Sequence, residues 1–90
     1  PEILIPISEA DKFPLMDKIM ANCVFKGAKI NTIDGLRVEY PFGWGLIRAS
    51  NTSAFLTLRF EAKDQAELKR IKKLFSEELT PFINQVEQYL

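Results

Sequence analysis

Hydrophobic and polar positions alternate through the middle of this 90-residue chain. The alternation is clearest at residues 36–40, where apolar and charged side chains exchange at every step, as in a half-buried antiparallel strand. Asp34-Gly35, just before it, is a strong signal for a two-residue hairpin turn. In all, the pattern predicts strands at residues 2–7, 29–33, 36–40, 44–49 and 55–61.

A first helix is predicted between the opening strand and the central strands, because apolar residues recur there at three- and four-residue spacing. Ser8 or Asp11 would cap it. Pro14 places its start near Asp11, since proline fits a helix best in the first turn. The predicted buried face consists of Phe13, Met16, Ile19, Met20 and Cys23.

Asp64 is expected to cap a second helix, with Glu67 three positions later in an arrangement that resembles a capping box. Thr80-Pro81 predicts a short last helix, because proline is favoured at the first helical position. The order β-α-β-β-β-β-α predicts an α+β fold, in which an antiparallel sheet of four to five strands carries two main helices on one face. The buried stripe of the second helix is predicted to be Leu68, Ile71, Leu74, Phe75 and Leu79.

Charge and composition disfavour several classes of partner. Twelve basic residues balance twelve acidic ones, whereas a nucleic-acid binder of this size usually carries a basic face. No apolar run approaches the roughly 20 residues that span a bilayer, so we expect neither nucleic acid nor a membrane as partner. The chain has no histidine, and imidazole is therefore excluded as a general base or a metal ligand.

The single cysteine, Cys23, has no partner for an internal disulfide. We expect it to be a small buried residue near a helix end, and a lone thiol fits a reduced, cytoplasmic setting. The chain opens with Pro-Glu rather than Met, which suggests a piece of a longer protein. No conventional catalytic grouping, P-loop or metal-ligand spacing is present in the sequence.

One polar turn gathers groups that suit a phosphate. Arg48, Ser50, Asn51 and Thr52 bring a guanidinium, two hydroxyls and an amide within five residues. The planar guanidinium matches two phosphate oxygens, and hydroxyls donate to the others. Backbone N–H groups of a tight turn can also converge on an anion. The turn is therefore a candidate phosphate site.

Plainer interpretations of this region are open. Ser-Asn-Thr-Ser is ordinary composition for a hairpin loop, and Arg48 would then pair only with Glu61 or Glu39 across the sheet. Trp44, flanked by two glycines, would either stack on a sugar ring or lie in the core, and the core is the commoner place for an aromatic residue that starts a strand.

Three consecutive runs resemble the last domain of the α-D-phosphohexomutases, most closely the bacterial phosphomannomutase/phosphoglucomutase type. They are Ile-Asp-Gly-Leu-Arg-Val-Glu-Tyr at 33–40, Gly-Trp-Gly-Leu-Ile at 43–47 and Arg-Ala-Ser-Asn-Thr at 48–52, and residues 58–62 fit the same pattern. The resemblance implies a fold like that of the TATA-box-binding protein. It also implies that residues 1–90 form a single domain, the C-terminal phosphate-binding domain of a larger mutase.

Enzymes of this family, the resemblance implies, move a phosphoryl group between O1 and O6 of a hexose. A phosphoserine in the first domain and Mg²⁺ held by the second carry the chemistry, while the fourth domain grips the phosphate that is not reacting. The positions that match the gripping loop are Arg48, Ser50, Asn51 and Thr52. No catalytic residue, metal ligand or cofactor is then expected in this chain, and its partners would be the phosphosugar and the other domains of the same polypeptide.

One departure from the family pattern falls beside the loop. The family usually has proline where this chain has Ala54, which predicts that the chain leaving the loop is more flexible.

Two functions of other kinds are also compatible with an α+β fold: a free-standing module for phosphorylated ligands or RNA, and a structural or dimerisation domain. An RNA-recognition domain would show aromatic residues in its sheet motif and a basic surface, and neither is evident.

Overall fold

Five antiparallel strands form one sheet in the computed structural model, which describes residues 2–90. Across the sheet their order is β1-β5-β4-β3-β2, so the first strand lies beside the last. Two helices and a short 3-10 helix complete the chain, which confirms the predicted α+β architecture. The elements are β1 (Ile3–Pro6), α1 (Glu9–Asn22), β2 (Lys29–Asn31), β3 (Leu36–Tyr40), β4 (Gly43–Ala49), β5 (Phe55–Ala62), α2 (Gln65–Leu79) and the 3-10 helix Val86–Gln88.

Both helices pack on the same face of the sheet, where the strands place their apolar positions. Ile47 pairs across the sheet with Leu36 on one side and Leu58 on the other. Residues opposite one another in neighbouring strands share a face, and these three form part of the buried core. Both helices contact β4 and β5, the two strands at the centre of the packing.

A glycine on this face makes room for helix α2. The Phe75 ring lies so close to β4 that a Cβ on Gly45 would be 2.5 Å from it. Phe75 also contacts two aromatic rings, Phe25 at 4.8 Å and Phe60 edge-on at 5.0 Å between centroids. The predicted stripe of α2 is confirmed, with Ile71, Phe75 and Leu79 fully buried. Its predicted cap is confirmed too, since the Asp64 carboxylate accepts from the Glu67 backbone N–H at 2.8 Å.

The first helix differs from the prediction in its start and in its buried face. Ser8 is the N-cap and the helix begins at Glu9, so Pro14 lies inside it rather than in its first turn. Pro14 lies on the exposed side of the helix. The buried face runs through Lys12, Met16 and Ile19 at i, i+4 and i+7, which turns Phe13 toward solvent with half of its surface exposed.

The hairpin between β2 and β3 is present, but its loop is longer than the predicted two residues. Asn31 pairs with Arg37, which leaves residues 32–36 between them. Gly35 has φ +84°, a left-handed conformation that glycine adopts without steric cost. The strand ends before Ile33, which lies at the tip of the loop and is 92% exposed.

The predicted helix from Pro81 is wrong. Thr80 continues the end of α2, and the amides of Phe82 and Ile83 both donate to the Leu79 carbonyl in closing turns. The chain then passes through Gln85 at φ 53° before the 3-10 helix. Ile83 and Val86 are buried against the core, so tertiary packing rather than a proline signal sets the path of this segment.

Candidate functional site

The candidate loop, residues 50–54, joins β4 to β5 and is closed by its own hydrogen bonds. The Ser50 amide donates to the Phe55 carbonyl at 3.0 Å, and the Phe55 amide donates to the Ser53 carbonyl at 2.9 Å. The Ser53 amide donates to the Ser50 side-chain oxygen at 3.2 Å. Ser50 therefore has a structural task in the loop, while its hydroxyl hydrogen is left for another acceptor.

Several donors of this loop are open to a ligand. Within residues 2–90 the backbone amides of Asn51, Thr52 and Ala54 donate to no protein acceptor. The Asn51 and Thr52 side chains are also exposed and make no hydrogen bond with the described residues. Unpaired amides at a turn beside hydroxyl and amide side chains form the donor set that suits an anion.

Arg48 reaches this region from the penultimate position of β4. Its Nη1 lies 3.0 Å from the Asp34 carboxylate in the neighbouring hairpin, and the arginine side chain is 41% exposed. Gly35 permits this approach, because a Cβ there would lie 2.5 Å from the Arg48 Cβ. Arg48 thus pairs with neither Glu61 nor Glu39, the partners that the plainer interpretation named; Glu39 pairs with Arg37 instead, at 3.5 Å.

A recess of about 150 Å³ brings part of the predicted site together. Its wall combines apolar side chains with one guanidinium and the carboxylates of Asp17 and Asp34. Arg48 and Asn51 line it, whereas Ser50 and Thr52 do not. The other residues of the wall are Phe13, Met16, Asp17, Met20, Ile33, Asp34, Gly35 and Ala49.

Sequence reasoning missed one residue at this loop, Lys12. Its side chain is fully buried, and its Nζ donates to the Ser53 carbonyl at 2.9 Å while lying 3.0 Å from the Glu9 carboxylate. The available signal was the presence of a lysine on the apolar face of α1. Lysine is almost never fully buried without a partner, so a lysine at such a position indicates that a partner lies nearby. The partner is 41 residues away in the sequence, and local pattern does not reveal it.

Trp44 does not belong to the core, so the commoner interpretation was wrong. It alternates with the buried Gly45 and Ile47 and therefore faces away from the helices. The Arg37 guanidinium lies over its ring at 4.1 Å. Trp44 lines a cavity of about 350 Å³ around the β3–β4 turn, at the opposite end of β4 from the candidate loop. The structure does not bring the two together.

The lone cysteine is unsuited to nucleophilic chemistry. Burial, with a smaller contribution from the Glu78 carboxylate, raises the pKa of Cys23 to about 11. Cys23 lies at the end of α1, and its Sγ donates to the carbonyl of Glu78 in α2 at 3.5 Å.

Among residues 2–90, no group of three or more acidic, cysteine or histidine side chains is placed to hold a metal ion. The helices described are also too short or too polar to cross a membrane.

Comparison with known proteins places this sheet and loop in a family. The model of the phosphoglucomutase/phosphomannomutase C-terminal domain matches residues 2–78. The chain belongs to the phosphoglucomutase/phosphomannomutase family. Its matched part comprises the whole sheet, the candidate loop and nearly all of α2. The resemblance drawn from the Asp-Gly, Gly-Trp-Gly and Arg-x-Ser-Asn-Thr runs is thereby confirmed.

Relatives in this family are named as enzymes. A phosphomannomutase/phosphoglucomutase of Pseudomonas syringae is 51% identical over 79 residues, 88% of this chain and 17% of the relative. A phosphoglucomutase of Neisseria meningitidis is 49% identical over 77 residues, 83% of this chain and 17% of the relative. The chain therefore spans about a sixth of the length of these relatives.

The fold of the family agrees with the one described above. The crystal structure of a phosphoglucomutase/phosphomannomutase family protein from Burkholderia thailandensis superposes with a TM-score of 0.81 at 43% identity. The match covers 94% of this chain and 18% of that protein. At this identity the likeness extends to sequence as well as to backbone, and the α+β sheet with two helices is the architecture of this family's C-terminal domain.

Proposed function

We propose that residues 1–90 are the C-terminal phosphate-binding domain of a phosphohexomutase, and that this domain holds the non-reacting phosphate of a phosphosugar. The reaction is an intramolecular phosphoryl transfer between O1 and O6 of a hexose, through a bisphosphorylated sugar. The single observation that carries the proposal is the loop at 50–54. Its Asn51 and Thr52 amides are unpaired within residues 2–90, and Asn51 lines one recess with the partly exposed Arg48.

The physical logic of phosphoryl transfer supports this role. Catalysis of this reaction relies on positioning and on charge stabilisation, and a remote phosphate held in place supplies positioning. The intermediate must present either of its two ends, so the grip has to recognise phosphate without fixing one orientation of the ring. Hydroxyls, amides and one guanidinium meet that requirement, because none of them needs a contact with the sugar.

The chemistry itself is assigned to domains outside this chain. The proposal places the phosphoserine and the Mg²⁺ site there, as the resemblance to the family implies. We expect the partners of this chain to be the phosphosugar and those other domains, in a cytoplasmic enzyme. The isolated chain would bind phosphate weakly, since a single open site gains little affinity.

A titration of the 90-residue chain with inorganic phosphate, followed by amide NMR shifts, tests the proposal. We expect shifts confined to residues 48–53 and lost in Arg48→Ala. Arg37→Ala is the matched control, because Arg37 is an arginine of the adjacent strand that lies over Trp44 away from the loop. Shifts spread over the sheet surface would favour an RNA-type module instead, and a wild-type loop that does not respond to phosphate would refute the proposal.

A further inference from the structure

Lys12 is a buried charge whose position calls for an explanation. Its side chain has no exposed surface, and a buried ammonium is costly unless it is paired and hydrogen-bonded. Both conditions are met, by the Glu9 carboxylate at 3.0 Å and the Ser53 carbonyl at 2.9 Å. Only the second of these contacts leaves helix α1, and it leads directly to the candidate phosphate loop.

The hydrogen bond from Lys12 to the Ser53 carbonyl fixes the orientation of the peptide that joins Ser53 to Ala54. The peptide bond is planar and trans, so the Ser53 carbonyl and the Ala54 amide point in opposite directions. When Lys12 holds the carbonyl toward α1, the Ala54 amide is directed away from the helix, and that amide has no protein acceptor within residues 2–90. A carbonyl oxygen turned toward an anion would repel it, and the ammonium group keeps this one occupied.

A second tie reinforces the same segment. The Ile7 amide, just after β1, donates to the Ala54 carbonyl at 3.0 Å. The carbonyls of Ser53 and Ala54 are therefore both held by the N-terminal part of the chain, one by a side chain and one by the backbone. Ser53 also accepts from the Phe55 amide at 2.9 Å, which leaves the exposed residues 51 and 52 as the segment facing solvent.

We propose that Lys12 is a positioning residue for phosphate binding: it holds the Ser53 carbonyl of the loop at 50–54 toward α1 and so keeps this oxygen from facing the phosphate. This inference rests on the proposed function of the loop. Lys12 does not contact the phosphate in this scheme, since its ammonium is enclosed and already shared between two oxygens. Its effect reaches the ligand through the Ser53 peptide.

Two variants separate this role from a general contribution to folding. Lys12→Met keeps an unbranched stem of similar length in the core and removes only the ammonium. Glu9→Gln is the matched control, because it removes the charge partner of Lys12 but leaves the bond to the Ser53 carbonyl in place. Thermal unfolding of the 90-residue chain shows whether each variant keeps the fold.

The readouts are ¹⁵N relaxation of residues 50–54 without ligand and the Kd for inorganic phosphate from amide shifts. In Lys12→Met we expect increased loop motion and a Kd raised about tenfold, because the loop would then adopt the binding conformation only about a tenth of the time. In Glu9→Gln we expect wild-type loop motion and a Kd within about twofold, because the Glu9 side chain is 65% exposed and the glutamine amide oxygen can still accept from the ammonium.

The outcomes are distinguishable. If Lys12→Met unfolds at a lower temperature but keeps wild-type loop motion and phosphate affinity, Lys12 has only a structural role and the inference is overturned, while the proposed function stands. If wild-type protein shows no phosphate-dependent shift in the loop, the proposed function fails and the inference fails with it. If both variants weaken binding equally, the ion pair and not the Ser53 bond is responsible, which also overturns the inference.

Discussion

At the scale of single residues, the candidate site depends on Arg48 and its surroundings. Arg48 uses one guanidinium nitrogen on Asp34, at 3.0 Å, and is 41% exposed. An exposed ion pair of this kind contributes little stability, so a phosphate with two or more charged oxygens can compete for the arginine. The rest of the planar fork is available for a bidentate contact.

We expect Arg48→Ala in the intact mutase to lower kcat/KM by roughly 10- to 100-fold, because the variant loses a charge-assisted hydrogen bond to the bound phosphate. Steady-state kinetics with a hexose 1-phosphate would measure this loss. Arg37→Ala on the neighbouring strand should leave kcat/KM nearly unchanged. Wild-type kinetics in Arg48→Ala would remove the loop from the mechanism.

Ala54 is the residue where this chain departs from the family pattern, and the one backbone hydrogen bond it makes with the described residues is one that proline could also make. Proline has no N–H, and the Ala54 amide has no acceptor within residues 2–90 that a proline would forfeit. The Ala54 carbonyl, bonded to the Ile7 amide at 3.0 Å, is kept by both residues. The expected flexibility of the chain leaving the loop remains a prediction that relaxation measurements can test.

At the scale of elements, the packing of α2 on β4 depends on a missing side chain. A Cβ on Gly45 would lie 2.5 Å from the Phe75 ring and 2.9 Å from that of Phe60. Gly45 is therefore needed for space rather than for an unusual backbone angle. Because Phe75 is fully buried between Phe25 and Phe60, its ring cannot move without disturbing the core.

We expect Gly45→Ala to lower the free energy of unfolding by about 1–3 kcal/mol, the usual cost of overpacking a core. Urea unfolding followed by tryptophan fluorescence would measure the change. A double variant, Gly45→Ala with Phe75→Leu, should recover part of the loss relative to the sum of the single changes, since leucine vacates the space of the ring. Strict additivity of the two changes would show that the clash is relieved elsewhere.

The sequence predicted the elements whose signals are local. Strands β3, β4 and β5 and helix α2 follow from alternation, from helical spacing and from Asp64 as a cap, and they lie within a few residues of their predicted bounds. The predictions were wrong where contacts between residues distant in the sequence determine the structure. Lys12 is buried because the Ser53 carbonyl accepts a hydrogen bond from its ammonium, and the segment after α2 turns because Ile83 packs on the core. The residue types of the candidate loop were evident, but the bond that orients it was not.

At the scale of the whole molecule, the size of the chain bears on how the candidate site is enclosed. The chain spans about a sixth of the length of its named relatives. The recess beside the loop measures only about 150 Å³, less than the 300 to 1,000 Å³ typical of ligand sites. We infer that neighbouring domains complete the enclosure.

The isolated chain should therefore show no mutase activity with glucose 1-phosphate or mannose 1-phosphate and Mg²⁺. The reason is that the phosphoryl donor and the metal site are assigned to other domains. A coupled assay at increasing chain concentration would measure it, with a full-length relative as the positive control. Turnover that rises in proportion to the concentration of the chain would contradict the assignment.

The contact between Lys12 and Ser53 also bears on the order in which the molecule assembles. It joins residues 41 positions apart, and closing a loop of that length costs more chain entropy than closing a local hairpin. The strands on either side of the loop can therefore pair before the loop acquires its final shape. We expect a transient detachment of β1 and α1 to abolish phosphate binding while the β3–β4 hairpin stays folded. Hydrogen exchange that is faster in α1 than in β3 and β4 would reveal that partly opened state.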